Sequence, residues 1–99
     1  MADYLLLMRD DVTRPVDDSQ WPEYLAKLSA AGAFRGGSEI GGGVSVRRAG
    51  EPAPMSAGLT GFVRIEATDT EHAVALTEGN PVHLAGGTIE IRELPRTGD

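Results

Sequence analysis

Two histidines are the side chains of this sequence that titrate closest to neutral pH, and the chain has no cysteine. His83 lies in a segment rich in Pro and Gly after a predicted helix, a setting in which functional groups are often found. Its imidazole is suited to general acid or base chemistry. Asp10 follows the first predicted strand, near the end of a sheet where a cleft can open. His83 and Asp10 are therefore the candidate catalytic residues; the alternative for His83 is a loop histidine bonded to backbone or water.

Three further side chains are candidates for contacting a small molecule. Trp21 lies on the first predicted helix, where a tryptophan belongs to the core more often than it serves as a ligand platform. Arg64 lies on the third predicted strand and could assist His83. Asn80 directly precedes Pro81, where the second predicted helix ends. Trp21, Arg64 and Asn80 are the candidate ligand-binding residues.

The sequence predicts no metal site and no cofactor. His72 and His83 are separated by a predicted helix end, and no spacing supplies the third ligand that a zinc or iron site needs. The aspartates between 10 and 18 are too scattered for a calcium loop and are typical of a solvated loop. Without a cysteine or a Gly-x-Ser-x-Gly segment, nucleophilic hydrolysis has no support.

Length and charge narrow the class of protein. The 99 residues, with a net charge of −6, predict a single domain over 1–99. An acidic balance argues against nucleic-acid binding, which depends on surplus Lys and Arg. No apolar run approaches the ~20 residues of a membrane helix, so no membrane association is expected. No secretory signal follows Met1, which predicts a cytoplasmic location.

The hydrophobic pattern predicts four strands and two helices that would position these residues. The strands are predicted at 4–8, 44–48, 61–66 and 88–94, and the helices at 20–31 and from about 69 to 78. Ser19 is the predicted cap of the first helix, and Thr68 with Glu71 matches a capping box before the second. The tail over 95–99 is expected to fray.

The glycine-rich segment 36–43 lacks the lysine of a phosphate-binding loop. An alternating segment, Val44-Ser45-Val46, follows it, whereas a dinucleotide site would need a helix there. The pattern favours a flexible approach to an edge strand over phosphate binding.

The element order is strand, helix, strand, strand, helix, strand, which is the ferredoxin-like βαββαβ arrangement of an α+β protein. Right-handed crossovers place the first and third strands at the centre of a four-stranded antiparallel sheet, with both helices on one face. The opposite face would show apolar side chains of the first strand, Phe62 and charges of both signs. That composition favours packing against a second copy over a plain solvated surface.

Three stretches of the sequence resemble the YCII-related family, including its DGPF-type branch. They are Tyr4-Leu5-Leu6-Leu7-Met8, then Trp21-Pro22-Glu23-Tyr24-Leu25 with Leu28-Ser29-Ala30-Ala31-Gly32, and the closing segment from Asn80 to Arg92. The resemblance implies a bacterial protein that forms a dimeric α+β barrel of ferredoxin-like subunits.

The sequence departs from that family at the positions tied to chemistry. The stretch Pro54-Met55-Ser56-Ala57-Gly58-Leu59-Thr60 stands where the DGPF signature would fall. The family's first-helix histidine and its aspartate before the proline, an implied acid–base pair, correspond here to Trp21 and Asn80. Neither side chain exchanges protons at neutral pH, so the implied mechanism does not transfer.

Two functions therefore stay open at the level of sequence. One is a small enzyme in which His83, assisted by Asp10 or Arg64, moves a proton on an aromatic or carbonyl-bearing molecule in a cleft of a homodimer. The other is a non-catalytic dimeric module that binds a ligand or acts as a regulatory accessory. For the DGPF-type branch, the resemblance implies association with alternative sigma factors.

Overall fold

Over residues 1–96, which a computed structural model describes, the chain forms a four-stranded antiparallel sheet and three helices. The elements are β1 (Ala2–Arg9), α1 (Trp21–Ala30), β2 (Phe34–Glu39), β3 (Leu59–Ala67), α2 (Thr70–Ala75), α3 (Pro81–Leu84) and β4 (Ile89–Leu94). The strand order is β2-β3-β1-β4. The prediction of an α+β protein with its first and third strands at the centre is confirmed.

The core lies between the helices and one face of the sheet. Alternate residues of β1 and β3 are buried, and the registers β1–β3 and β1–β4 place them beside one another. These residues pack with Tyr24 and Leu28 of α1. The buried sheet residues are Tyr4, Leu6, Met8, Gly61, Val63, Ile65 and Ala67. Full burial of each large apolar side chain contributes about 1.5–3 kcal/mol, so this two-layer contact is the main source of stability.

The other face of the sheet has no helix over it within the described chain. Leu5 and Leu7 of β1 and Phe62 of β3 lie at its centre and are half-buried. The molecule measures 46 × 41 × 19 Å, and its short axis accommodates a single sheet and a single helix layer. This surface, defined by Leu5, Leu7, Phe62 and the charged residues around them, is called the open face below.

The second strand lies ten residues earlier than its predicted position. The alternating segment 44–48 predicts a strand, and this prediction is wrong: β2 is Phe34–Glu39, and 44–48 has no regular secondary structure. Val44 and Val46 are 84% and 87% exposed. Both side chains therefore lie outside the core.

The glycines after α1 explain where β2 starts. Gly32 has a φ of +71°, which ends α1, and the chain pairs Phe34 with Ile65 of β3 two residues later. A bulge follows, after which Gly37 pairs with Val63. A Cβ on Gly37 would lie 2.7 Å from the carbonyl oxygen of Phe62, so this strand position requires glycine. The glycine run therefore begins inside the sheet instead of leading to it.

The predicted cap of the first helix is also wrong. Ser19 does not accept a bond from the helix; instead its backbone N–H donates to the carboxylate of Asp17 at 3.0 Å. Asp17 caps a short 3₁₀ turn over Asp18–Gln20 that leads directly into α1. Gln20 therefore stands at the N-cap position of α1, and its side chain makes no cap hydrogen bond.

The cap of α2 also differs from the prediction. The capping box predicts Thr68 as the cap, but Asp69 accepts the backbone N–H of His72 at 2.8 Å. The backbone N–H of Thr68 donates to the Nδ1 atom of His72 at 3.0 Å instead. α2 ends at Ala75, and the segment predicted as a loop after it contains a separate helix, α3.

The loop after β1 is fixed to the far end of the chain. The carboxylate of Asp11 accepts the backbone N–H of Thr88 at 2.7 Å and also the Thr88 hydroxyl. Two residues further on, the backbone N–H of Thr13 donates to the carbonyl of Ala85 at 2.8 Å. These bonds hold the loop over the sheet edge, where it forms one wall of the cavity described below.

The Asp11 contact makes a prediction about pH. The hydrogen bonds from Thr88 lower the pKa of Asp11 below its ordinary value of 3.8. Because the folded-state pKa is the lower one, the contact stabilises the fold fully above the unfolded-state pKa and is lost as the pH falls through the folded-state value. We expect Asp11→Asn to unfold at a lower temperature than the wild type at pH 7, with the difference shrinking below about pH 4. Thermal unfolding followed by circular dichroism from pH 7 to about pH 3 measures this.

Glu93→Gln, an exposed change on β4, is the control and should follow the wild type at each pH. A difference between Asp11→Asn and the wild type that stays constant across the pH range would contradict the prediction.

Candidate functional site

A cavity of about 620 Å³ lies on the helix-covered side of the sheet, between α1, β2 and the loop after β1. The volume falls in the range of about 300–1,000 Å³ that is typical of small-molecule sites. Its lining includes Met8, Arg9, Asp10, Val12, Val16, Asp18, Trp21, Leu25, Phe34, Gly37, Glu39, Gly61, Val63 and Val82. It is called the α1–β2 cavity below.

The burial of the lining residues gives the cavity a floor, walls and a mouth. Met8 and Val63 of the sheet and Val82 of α3 are buried and form the floor. The walls are half-buried apolar side chains from three elements: Val12, Val16, Trp21, Leu25 and Phe34. The polar lining residues are mostly exposed and lie where the cavity meets solvent. An apolar interior with polar groups at the opening is the usual form of a ligand pocket.

Local sequence explains why this space is not filled. Gly61 lies on the core face of β3, where the other residues of that face carry side chains. Because glycine has none, the space above this strand position stays open. A Cβ there would lie 3.0 Å from the Cε atom of Met8 and 3.1 Å from the carbonyl oxygen of Ser38. On α1, Trp21 and Leu25 are one helical turn apart and face the space together. The Trp21 ring packs edge-on against Tyr24, with 6.0 Å between centroids, which fixes the wall.

Asp10 and Trp21 are the two sequence-predicted site residues that line this cavity. The backbone N–H of Asp10 donates to the carbonyl of Gly58 at 2.8 Å, which holds the residue at the start of the loop. Trp21 is the first residue of α1. The end of β1 and the start of α1 therefore border the same space on the helix-covered side of the sheet.

His83 lies on α3 and Asn80 is the N-cap of that helix, and neither lines the cavity. Asn80 is fully buried. Its side-chain oxygen accepts the backbone N–H groups of Val82 at 2.9 Å and His83 at 3.3 Å, and its amide donates to the sulfur of Met8 at 3.5 Å. His83 itself is exposed. Within one chain, the predicted catalytic pair of His83 and Asp10 is therefore divided between a surface helix and the cavity.

Asn80 also belongs to a buried polar group with Tyr24. The Tyr24 hydroxyl donates to the carbonyl of Leu76 at 2.7 Å. Burial raises the pKa of Tyr24 above its ordinary value, and a hydrogen bond with Asn80 opposes part of that shift. The hydroxyl is therefore neutral at physiological pH, and these contacts join α1 to the segment before α3.

Arg64 lies on the open face, within a charged group at one end of the sheet. Its guanidinium is 3.9 Å from Asp3, and Arg96 donates to the same carboxylate at 2.9 Å and to Glu66 at 2.8 Å. The hydrogen bond from Arg96 holds the pKa of Asp3 below its usual range. Of the tail predicted to fray, residues 97–99 lie outside the described residues, whereas Arg96 is anchored by these pairs.

The long loop 40–58 encloses a second, shallower space of about 430 Å³ with Val46, Pro54 and Met55 among its lining. None of the five candidate residues lies there. Among residues 1–96, no three His, Asp or Glu side chains come together in a way that could hold a metal ion. In the same part of the chain, no helix has the length and apolar character needed to cross a bilayer.

Several cavity residues are not among the predicted site residues. Gly37 and Glu39 belong to the segment 36–43, which the pattern assigns to a flexible approach, and Phe34 was assigned to no element, so their position on β2 was not predicted. The i, i+4 pair of Trp21 and Leu25 is the signal that could have found the helix wall, because it places an aromatic and an apolar side chain on one helix face.

Comparison with known proteins adds no assignment, since no family model matches the chain and no curated protein matches it.

Proposed function

We propose that this protein is a small-molecule-binding module whose ligand occupies the α1–β2 cavity. The observation that carries the proposal is the cavity itself, which combines a buried apolar floor with an aromatic wall formed by Trp21 and Phe34. A cavity of this volume accommodates a molecule with a ring and a short chain. Burial of apolar ligand surface against these walls supplies the binding energy.

The position of His83 favours binding over catalysis. General acid or base chemistry requires the titrating group within hydrogen-bond reach of the substrate, directly or through one water. His83 is exposed on α3 and is not part of the lining, so the predicted pair of His83 and Asp10 does not meet in the cavity. This arrangement supports the non-catalytic alternative among the two functions left open by the sequence.

We further propose a homodimer formed through the open face, as a ferredoxin-like subunit of a dimeric α+β barrel in the YCII-related group. Support comes from the strand order, from the sequence resemblance of the first strand and first helix, and from the apolar centre of the open face. Leu5, Leu7 and Phe62 lie together there with charged residues on each side. A second copy would complete their burial.

Ligand binding in the cavity can be measured through Trp21, which is the single tryptophan of the chain. We expect 4-phenylbutanol to change the Trp21 fluorescence and the indole N–H resonance in a saturable way, with a Kd on the order of millimolar for a ligand of this size. Val16→Phe adds a ring inside the cavity and should weaken binding roughly tenfold or more, because the ring occupies the ligand's space.

Val74→Phe is the matched control, since Val74 is 52% exposed on α2 and does not line the cavity. It should bind 4-phenylbutanol as the wild type does. Equal binding by Val16→Phe and the wild type would show that the ligand lies elsewhere, and an unchanged Trp21 signal in the wild type would remove the proposal.

A further inference from the structure

The mouth of the α1–β2 cavity carries more negative than positive charge. Three carboxylate side chains line it, Asp10, Asp18 and Glu39, against the one guanidinium of Arg9. All three are exposed, and none forms an ion pair with another residue of the described chain. The net charge of −6 on the whole chain adds a field of the same sign.

The backbone fixes where these carboxylates project. Glu39 pairs with Gly61 across β2 and β3, and paired residues present their side chains on the same face of a sheet. Gly61 belongs to the cavity lining, so the Glu39 side chain projects on the cavity side. Asp18 lies in the 3₁₀ turn directly before Trp21, and Asp10 follows the end of β1. The three carboxylates therefore approach the opening from three different elements.

We propose, resting on the proposed binding function, that the α1–β2 cavity selects molecules that combine an apolar body with a primary amine. The apolar part contacts Trp21, Phe34 and the buried floor, and the ammonium group stays at the mouth near the carboxylates. Opposite charges near a protein surface attract each other, and the attraction is screened by salt. An anionic group at the same place meets repulsion from the same three residues.

Three probes with one shared body test this selectivity. They are 4-phenylbutylamine, 4-phenylbutanol and 4-phenylbutyrate, which carry a cation, a neutral group and an anion on the same phenyl chain. Titrations at low ionic strength, followed by Trp21 fluorescence and its indole N–H resonance, give a Kd for each. We expect the amine to bind about tenfold more tightly than the carboxylate, with the alcohol between them and the difference reduced by added salt.

Two triple variants separate the local carboxylates from the charge of the whole protein. Asp10→Asn with Asp18→Asn and Glu39→Gln removes the three charges at the mouth, and we expect the amine and carboxylate probes then to differ by less than about threefold. Glu71→Gln with Glu78→Gln and Glu93→Gln removes three exposed charges outside the cavity. This control has the same net charge as the variant at the mouth, and it should keep the preference of the wild type for the amine.

The outcomes distinguish the selectivity from the binding function. Equal affinities of the three probes for the wild type, or a preference for the carboxylate, would overturn the amine selectivity and leave the binding function in place. A preference that the control triple loses to the same extent would also overturn it, since the charge of the whole chain would then be responsible. If none of the three probes changes the Trp21 signals, both proposals fall.

Discussion

Replacement of Asn80 by alanine is expected to destabilise the fold by about 2–4 kcal/mol, through the loss of a buried helix cap. Asn80 is fully buried, and its oxygen satisfies the backbone N–H groups of Val82 and His83. Loss of a cap costs about 1 kcal/mol, and the buried N–H of Val82, left without a partner, costs about 1–3 kcal/mol more. For a domain of this size each kcal/mol lowers the Tm by about 4–8 °C.

Thermal and urea unfolding of Asn80→Ala against the wild type measure this loss. Asp17→Ala is the matched control, because Asp17 also caps a helical segment but is exposed. Water can replace its carboxylate, so the control should lose less than about 1 kcal/mol. Equal stability of Asn80→Ala and the wild type would contradict a structural role. Loss of 4-phenylbutanol binding without loss of stability would instead return Asn80 to the ligand-binding residues.

The central strands follow from sequence because each carries its own pattern. Tyr4, Leu6 and Met8 alternate with Leu5 and Leu7, which predicts a central strand, and β3 alternates as clearly. A strand with apolar side chains on both faces usually lies at the centre of a sheet, where other parts of the protein cover it. The first two helices were also predicted, although their first turns differ: Asp17 caps a 3₁₀ turn before α1, and Asp69 caps α2.

The second strand could not be predicted, because two local signals favour the wrong segment. Val44 and Val46 alternate as a strand does, but nothing in the described chain pairs with them. Gly36 and Gly37 suggest a loop, yet they belong to a bulged strand, and at Gly37 the backbone of β3 approaches too closely for a side chain. Close approach of two backbones depends on how distant parts of the chain pack together, so the residue pattern of one strand cannot predict it.

The sequence indicates the part of the candidate site that lies on the central strand, but not the part that lies on the second strand. Asp10 was placed at the end of a central strand, which the sequence shows, and it does line the cavity. Glu39 lines the same cavity only because β2 occupies 34–39, so an error in the strand hides the residue. His83 was selected for its chemistry, but the turn of α3 and the Asn80 cap decide where its side chain lies.

Replacement of Leu5 by glutamate is expected to convert the proposed dimer to a monomer without unfolding it. Leu5 lies at the centre of the open face, and a second copy packed there would strip water from the new carboxylate and from the arginines beside it, a desolvation cost that the monomer avoids. We expect the dissociation constant of the dimer to rise by on the order of 100-fold or more. Light scattering coupled to size exclusion measures the mass, which for one chain is 10.4 kDa.

The register explains why the monomer should tolerate this change. Leu5 lies opposite Arg64 on β3 and Arg92 on β4, so the new carboxylate has an arginine on each side. Cross-strand pairs of opposite charge contribute about 0.2–1 kcal/mol each, which offsets part of the lost apolar contact. Leu84→Glu, on the exposed surface of α3, is the control and should leave the mass unchanged. A wild-type chain that runs at 10.4 kDa at micromolar concentration, or a Leu5→Glu variant that still runs at twice that mass, would remove the open face as the dimer interface.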